Sequence, residues 1–343
     1  MFYKFFTLKR GFFFICFLFF TVTNGQTIRA QESEFTLGTV CVVNLYERGT
    51  NELYRKIFRR IREIEEIMSA NRAGTDLDRV NKQAGIMPVH VREELLYVVE
   101  RALVYAQSSG GAFDPTIGPL VNLWGIGGDA AHIPGEKAIQ DALSLVNWRD
   151  LIVDRQAGTL FLKRPGMALD LGAIAKGYAA DEAARIIKEA RIPGAIVDLG
   201  GNVFAYGEKE GSKPWRIGIQ DPLENRGTFV GILEVRNKTV VTSGVYERFL
   251  QVGGKRYHHI LSPQTGYPAD TGLLSVTIIA DRSIDADALA TAAFALGYHA
   301  GRILVESVGG AAAIFLFENK TIRGTAPAMA NFSLYNQGYR ILP

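Results

Sequence analysis

Two short segments, more than a hundred residues apart, carry side chains suited to holding a cation against phosphate oxygens. The first is Ala168-Leu169-Asp170-Leu171-Gly172-Ala173-Ile174-Ala175-Lys176-Gly177-Tyr178, which reads as an apolar strand entering a glycine turn, a lysine and then a helix. Backbone N–H groups at such a helix start attract anions, small residues let a ligand approach the main chain, and Lys176 adds a cation. The Ala173 carbonyl, exposed in such a turn, is a hard oxygen donor for a metal. The second segment is Asp285-Ala286-Asp287-Ala288-Leu289-Ala290-Thr291. Asp287 and Thr291 are four apart and share one helix face, whereas Asp285 points elsewhere. One carboxylate, one hydroxyl and one carbonyl make a sparse cage, which suits Mg²⁺ because substrate phosphates complete its octahedron. Singly, each segment has a plain structural explanation: a surface lysine after a turn, and a helical acid with a back-bonding threonine. Jointly they point to chemistry on a nucleotide diphosphate. Neither the GK[ST] ending of a P-loop nor GxGxxG is present in the first segment.

Two polar runs interrupt the apolar pattern further on. They are Thr242-Ser243-Gly244-Val245-Tyr246-Glu247-Arg248 and Lys255-Arg256-Tyr257-His258-His259-Ile260-Leu261-Ser262-Pro263-Gln264-Thr265-Gly266. Adjacent His258 and His259 face opposite sides of a strand, so one of them can serve an inward site as a general base while the other is solvated. Ser243 lacks the GxSxG elbow of a serine hydrolase.

The elements that must position these groups follow from hydrophobic period. Thr39–Tyr46 reads as a buried strand. Leu53, Ile57, Ile61, Ile64 and Met68 recur at helical spacing. A second helix is expected from Arg92 to Gln107, stopped by Gly110-Gly111. Phe113 to His132, rich in Gly and Pro, reads as irregular, and Leu151–Val153 with Thr159–Leu162 as a hairpin. Strands are expected at Ala195–Asp198, Trp215–Gln220, Val230–Val235, Tyr246–Val252, Lys255–Leu261 and Leu274–Ala280, with Gly253-Gly254 closing a hairpin. The Asp287 helix should start at Ser283 as N-cap and end at Gly297. Helices early and late around a central run of strands argue for an α+β fold rather than alternating βαβ units. The triplet Asp-Leu-Gly recurs at Asp170–Gly172 and Asp198–Gly200, a slight hint of internal duplication.

Lys4, Lys9 and Arg10 precede an apolar run from Phe12 to Phe20, the order of a secretory signal and too short to span a bilayer comfortably. Residues 1–30 are therefore expected to be a signal peptide, and residues 31–343 one enzyme-sized domain. Left uncleaved, the leader would attach the protein to the membrane. Cys16 lacks the small preceding residue that lipidation requires. Residues 1–30 hold four cations and no acid, so their removal takes the formal charge from +3 to −1. No basic surface for nucleic acid remains. Cys41 alone cannot form an intrachain disulfide, nor can it found a cysteine zinc site.

Several of these segments, in this order, resemble the ApbE family, the FAD:protein FMN transferases. The resemblance runs from Leu37-Gly38-Thr39 to about Gly297 and includes Gly111 to Leu120, Asp170–Tyr178, Val197 to Asn202, Thr242–Arg248, Tyr257–Gly266 and Asp287–Thr291. It implies an α+β fold of the T-fold type, mostly antiparallel sheet with packed helices. It implies FAD as substrate, Mg²⁺ as cofactor, and transfer of FMN to a threonine or serine hydroxyl of a flavoprotein with release of AMP. The alternatives are FAD hydrolysis to FMN and AMP, or FAD binding without chemistry. The resemblance makes Asp287, Thr291 and the Ala173 carbonyl metal ligands, and places Leu37, Ser69, Ala70, Asn71, Asp114, Lys176 and Ile260 along the flavin nucleotide. His259 and Lys176 are the catalytic candidates. The implied setting is the periplasm, with extracytoplasmic subunits of membrane redox complexes as partners. This chain departs from the family pattern at Leu37, where methionine is usual, and at Asn71, where many members carry tyrosine.

Overall fold

The computed structural model describes residues 31–209 and 211–343, so the expected signal peptide lies outside the described residues. A nine-stranded sheet runs through the molecule. Its strands, in spatial order, are Gln31–Thr36, Thr39–Tyr46, Gly194–Leu199, Asn202–Gly207, Lys238–Gly244, Leu273–Ala280, Ala312–Phe317, Thr321–Gly324 and Arg340–Ile341. Every neighbouring pair is antiparallel except the last. The first hairpin turns through Leu37 and Gly38, both left-handed (φ 53° and 67°), as a two-residue turn between right-twisted strands demands.

The sheet separates two cores. On Leu273–Ala280, every residue of which is buried, Val276, Ile278 and Ala280 enter the larger core while Leu274 and Ile279 enter the smaller. A strand covered on both faces is apolar along most of its length, here with Ser275 and Thr277 as the polar exceptions. The larger core is closed by four helices: Asn51–Met68, Glu93–Ser108, Ala175–Glu189 and Ser283–Glu306. The first is capped by the Thr50 hydroxyl, which accepts from Leu53 N–H, and buries Tyr54, Ile57, Phe58, Ile61 and Ile64. The smaller core lies under the sheet Phe332–Leu334, Phe229–Val235, Trp215–Gln220. Cys41 is fully buried in the larger core, and burial pushes its thiol up to about 12, which makes it inert. The architecture is α+β with a mostly antiparallel sheet, as the sequence predicts.

Six expectations change. Gly118–Trp124, within the stretch read as irregular, is a helix with Pro119 in its first turn and Gly125 (φ 58°) closing it. A Cβ on Gly118 would come within 2.6 Å of the Ala168 carbonyl, so the glycine permits a close approach rather than a break. Ala168–Leu171 is extended but belongs to no sheet, because the Asn81 side chain takes both Leu169 N–H (2.7 Å) and Leu169 C=O (3.0 Å). The strand expected at Tyr246–Val252 begins only at Phe249; residues 245–248 turn out of the sheet after Lys238–Gly244 ends. Its partner stops at His258, so His259 lies just beyond strand pairing. Finally, Ser283 is not the N-cap. The cap residue is Arg282, and the Asp181 carboxylate accepts the Ser283 and Ile284 N–H groups instead. Gly297 (φ 75°, ψ 178°) kinks this helix rather than ending it.

Candidate active site

The two halves read from the sequence meet. Helix Ala175–Glu189 follows the Asp170–Ile174 turn, where Asp170 Oδ1 accepts Gly172 N–H at 2.8 Å. Lys176 Nζ lies 3.0 Å from the Gly172 carbonyl and 3.8 Å from Asp287 Oδ1. Gly177 N–H, which a helix would aim at the Ala173 carbonyl four residues back, donates instead to Asp287 Oδ2 at 2.9 Å. Asp287 is 3% exposed. Burial pushes its carboxyl above the usual range, against the pull of Lys176 and Gly177 N–H. Its Oδ1 stands beyond hydrogen-bond distance of the lysine, a costly state for a buried carboxylate unless a cation completes it. One turn on, the Thr291 hydroxyl is 3.2 Å from Ser243 Oγ, which projects from the end of strand Lys238–Gly244.

These donors are hard oxygens: one carboxylate, two hydroxyls and a carbonyl. Among the described residues there is no group of three His, Cys, Asp or Glu side chains able to hold a metal. The set therefore fits Mg²⁺ with ligand phosphates supplying the balance, and does not fit zinc.

His258 and His259 differ sharply. His258 is buried, with Nε2 3.1 Å from the Ala269 carbonyl, Nδ1 accepting Ile260 N–H at 3.3 Å, and its ring edge-on to Phe294. Both its nitrogens serve the fold. His259 is half-buried, with Nδ1 3.2 Å from the Arg248 carbonyl, which fixes that nitrogen as the donor and leaves Nε2 as the basic one. The partner expected to be solvated, His258, is the one the structure buries. Burial, together with the charges of Arg248 and Lys176, pulls His259 down to about 4, so the ring is neutral at physiological pH.

Arg248 links His259 to the first hairpin, although the sequence reading gave it no role. Its carbonyl accepts His259 N–H at 3.1 Å, and its guanidinium reaches the Gly38 carbonyl at 3.3 Å. Leu37 is thereby brought to the same region, its N–H held by Glu65 at 3.0 Å. Asp170 and Glu247 were also passed over. Burial raises both carboxyls, while Lys176 and Arg248 oppose the rise on each. The signal for Arg248 and Glu247 was the polar run following a central strand.

Ile260 is buried beside this cluster, and its carbonyl accepts Ala269 N–H at 2.9 Å. Asp114 is buried and engaged: Oδ1 accepts Thr116 N–H and hydroxyl, and Oδ2 accepts Trp148 N–H. The neighbouring Pro115 carbonyl accepts Asp170 N–H at 2.9 Å, so Asp114 is anchored beside the lysine turn. Ser69, Ala70 and Asn71 follow helix Asn51–Met68, with Asn71 exposed. No hydrogen bond among the described residues joins them to Lys176 or Asp287.

The sequence and fold have known counterparts. The ApbE family matches residues 37–315. The chain is 41% identical over 334 residues to the FAD:protein FMN transferase of Treponema pallidum, covering 91% of this chain and 92% of that protein. It is 35% identical over 310 residues to an FAD:protein FMN transferase of Klebsiella pneumoniae, covering 90% and 96%. Among solved structures, the ApbE protein of Thermotoga maritima superposes with a TM-score of 0.81 at 32% identity, over 88% of this chain and 99% of that one. The flavin transferase ApbE of Vibrio cholerae gives a TM-score of 0.75 at 28% identity, over 90% and 96%.

Proposed function

The chain belongs to the ApbE family, and from that premise we propose that it is an FAD:protein FMN transferase, moving FMN from FAD to a Ser or Thr hydroxyl of a flavoprotein with release of AMP. The observation that carries this reading is the junction of Lys176, Gly177 and Asp287, which sets a buried carboxylate and a cation at one helix start. Asp287, Thr291 and the Ala173 carbonyl would hold Mg²⁺, which supplies charge neutralisation to the phosphates when bound.

The chain's own groups do the rest. Lys176 offers a point charge to phosphate oxygens. Leu37, Asp114, Ile260 and the Ser69-Ala70-Asn71 turn line the flavin nucleotide. His259, neutral and with Nε2 free to accept, takes the acceptor hydroxyl proton as the new O–P bond forms and the diphosphate P–O bond breaks. The proton passes to His259, and AMP departs carrying the bridging oxygen on its own phosphate. Export by residues 1–30 would place the reaction in the periplasm, and extracytoplasmic subunits of membrane redox complexes would be the acceptors.

A second reading rests on Asn71. It stands exposed, and at the position that the family resemblance puts beside the flavin nucleotide its small polar amide would hold water where an aromatic ring would exclude it, which favours FAD hydrolysis alongside transfer. Incubation with FAD, Mg²⁺ and a flavoprotein acceptor, followed by mass spectrometry, tests the main reading. A covalent FMN adduct on a Ser or Thr supports it; AMP release with no adduct leaves hydrolysis; neither product refutes both.

A further inference from the structure

Helices Ala175–Glu189 and Ser283–Glu306 touch backbone to backbone. A Cβ on Gly177 would lie 2.3 Å from the Ser283 carbonyl and 2.6 Å from Ile284 Cα. Two sets of hydrogen bonds cross this contact in opposite senses. Gly177 N–H donates to Asp287 Oδ2 at 2.9 Å. One turn further along the first helix, the Asp181 carboxylate accepts Ser283 N–H at 2.7 Å and Ile284 N–H at 3.0 Å. Ser283 in turn lies one turn before Asp287, so the four positions form a closed frame with one turn of helix on each side.

Among the described residues, no other side chain is seen to cap the second helix. Its N-cap residue, Arg282, contributes no side-chain hydrogen bond. The Ser283 hydroxyl is committed to Asn202 Oδ1 at 2.5 Å and to Thr239 Oγ1 at 2.9 Å. Both oxygens of Asp181 are spent on main-chain N–H groups, so its carboxylate influences a ligand only through Asp287.

We propose that Asp181 is a positioning residue for the cation site: by capping the Asp287 helix from the Lys176 helix, it fixes how far Asp287 stands from Lys176 and the Ala173 carbonyl. The inference rests on the assignment of Asp287 as a cation ligand. Without the cap, the first turn of the second helix pivots about the Gly177 contact, and the carboxylate is held by one hydrogen bond instead of a frame. Cation affinity then falls, while chemistry at saturating cation survives.

The test uses Mn²⁺ as probe, with purified protein holding FAD, and follows binding by loss of the free-ion electron paramagnetic resonance signal. Asp181→Ala should weaken Mn²⁺ binding by ~10–100-fold, the range for removing a group that orients a metal ligand. AMP release should return to near wild type at saturating Mg²⁺. Asp181→Asn, which keeps one acceptor oxygen, should fall between the two. Asp285→Asn removes the Arg101 ion pair at the same helix end, and should lower the melting temperature without moving Mn²⁺ affinity. Equal Mn²⁺ affinity in wild type and Asp181→Ala overturns this proposal alone. Absence of saturable Mn²⁺ binding by wild type overturns the cation assignment and this proposal with it. Should circular dichroism show Asp181→Ala unfolded, Asp181→Asn decides, and unchanged Mn²⁺ affinity there overturns the proposal.

Discussion

Replacing Gly177 by alanine would strike the site without removing any functional group. The added methyl would sit 2.3 Å from the Ser283 carbonyl, and Cβ atoms do not approach other atoms closer than about 3.0 Å, so the two helices must part by roughly 0.7 Å. That displacement lengthens the Gly177 N–H bond to Asp287, now 2.9 Å, and carries Asp287 away from Lys176. A misplacement of ~1 Å at a reacting centre costs on the order of 10²-fold in rate. Overpacking of this kind also costs about 1–3 kcal/mol, a fall in Tm of roughly 2–10 °C. AMP release from FAD, followed chromatographically, should therefore drop by about 30- to 300-fold in a protein that still folds by circular dichroism. Gly135→Ala is the control. Gly135 has φ −68° and no atom near its would-be Cβ, so that variant should match wild type. A Gly177→Ala enzyme turning over at the wild-type rate would refute the reasoning, because the helix contact would then not set the site.

Four further predictions test the remaining assignments. His259→Ala should lower the rate by ~10²–10⁴-fold with FAD still bound, and His258→Ala should instead cost about 1–3 kcal/mol of stability with kinetics largely kept. Because burial pulls His259 down to about 4, the neutral base persists as pH falls and is lost only near that value; kcat/KM should stay flat from about pH 8 to 6, and an acid limb centred near 6.5 would contradict the assignment. Asn71→Tyr should suppress AMP release measured without any acceptor protein while FAD remains bound, and equal release by wild type would remove the hydrolysis reading. A reporter active only after export, fused behind Leu45, should be active, and its retention in the cytoplasm would overturn the periplasmic placement.

The fold was legible where burial followed a simple period. Helix Asn51–Met68 announces itself through one apolar stripe behind Thr50, and Leu273–Ala280 through a mostly apolar run that Ser275 and Thr277 interrupt without ending. Strand Lys238–Gly244 was not legible, because Thr239, Thr242 and Ser243 are polar residues inside the sheet. Their hydroxyls are matched by Ser283, Thr277 and Thr291, partners far away in sequence. The same limit applies to the site. Lys176 and Asp287 could be recognised as residue types able to act together, yet their meeting depends on a backbone contact at Gly177 and a cap donated by Asp181, neither of which leaves a local pattern. The role of Arg248 was partly hidden: its carbonyl meets His259 across the expected hairpin, but its guanidinium reaches Gly38, 210 residues away. The two histidines show a related limit: alternation gives them different faces, but the burial of His258 against Ala269 and Phe294, where a solvated ring was expected, comes from contacts that alternation does not register.

The central claim is that a cation held at Asp287 activates the diphosphate of FAD. The most direct measurement is AMP release from FAD in the presence of Mg²⁺, comparing the intact protein, the same protein with excess EDTA, and Asp287→Ala. AMP should form in the first case and stay at background in the other two, with Asp287→Ala retaining the wild-type circular dichroism. Undiminished AMP release by Asp287→Ala, or by the EDTA-treated enzyme, would contradict the account.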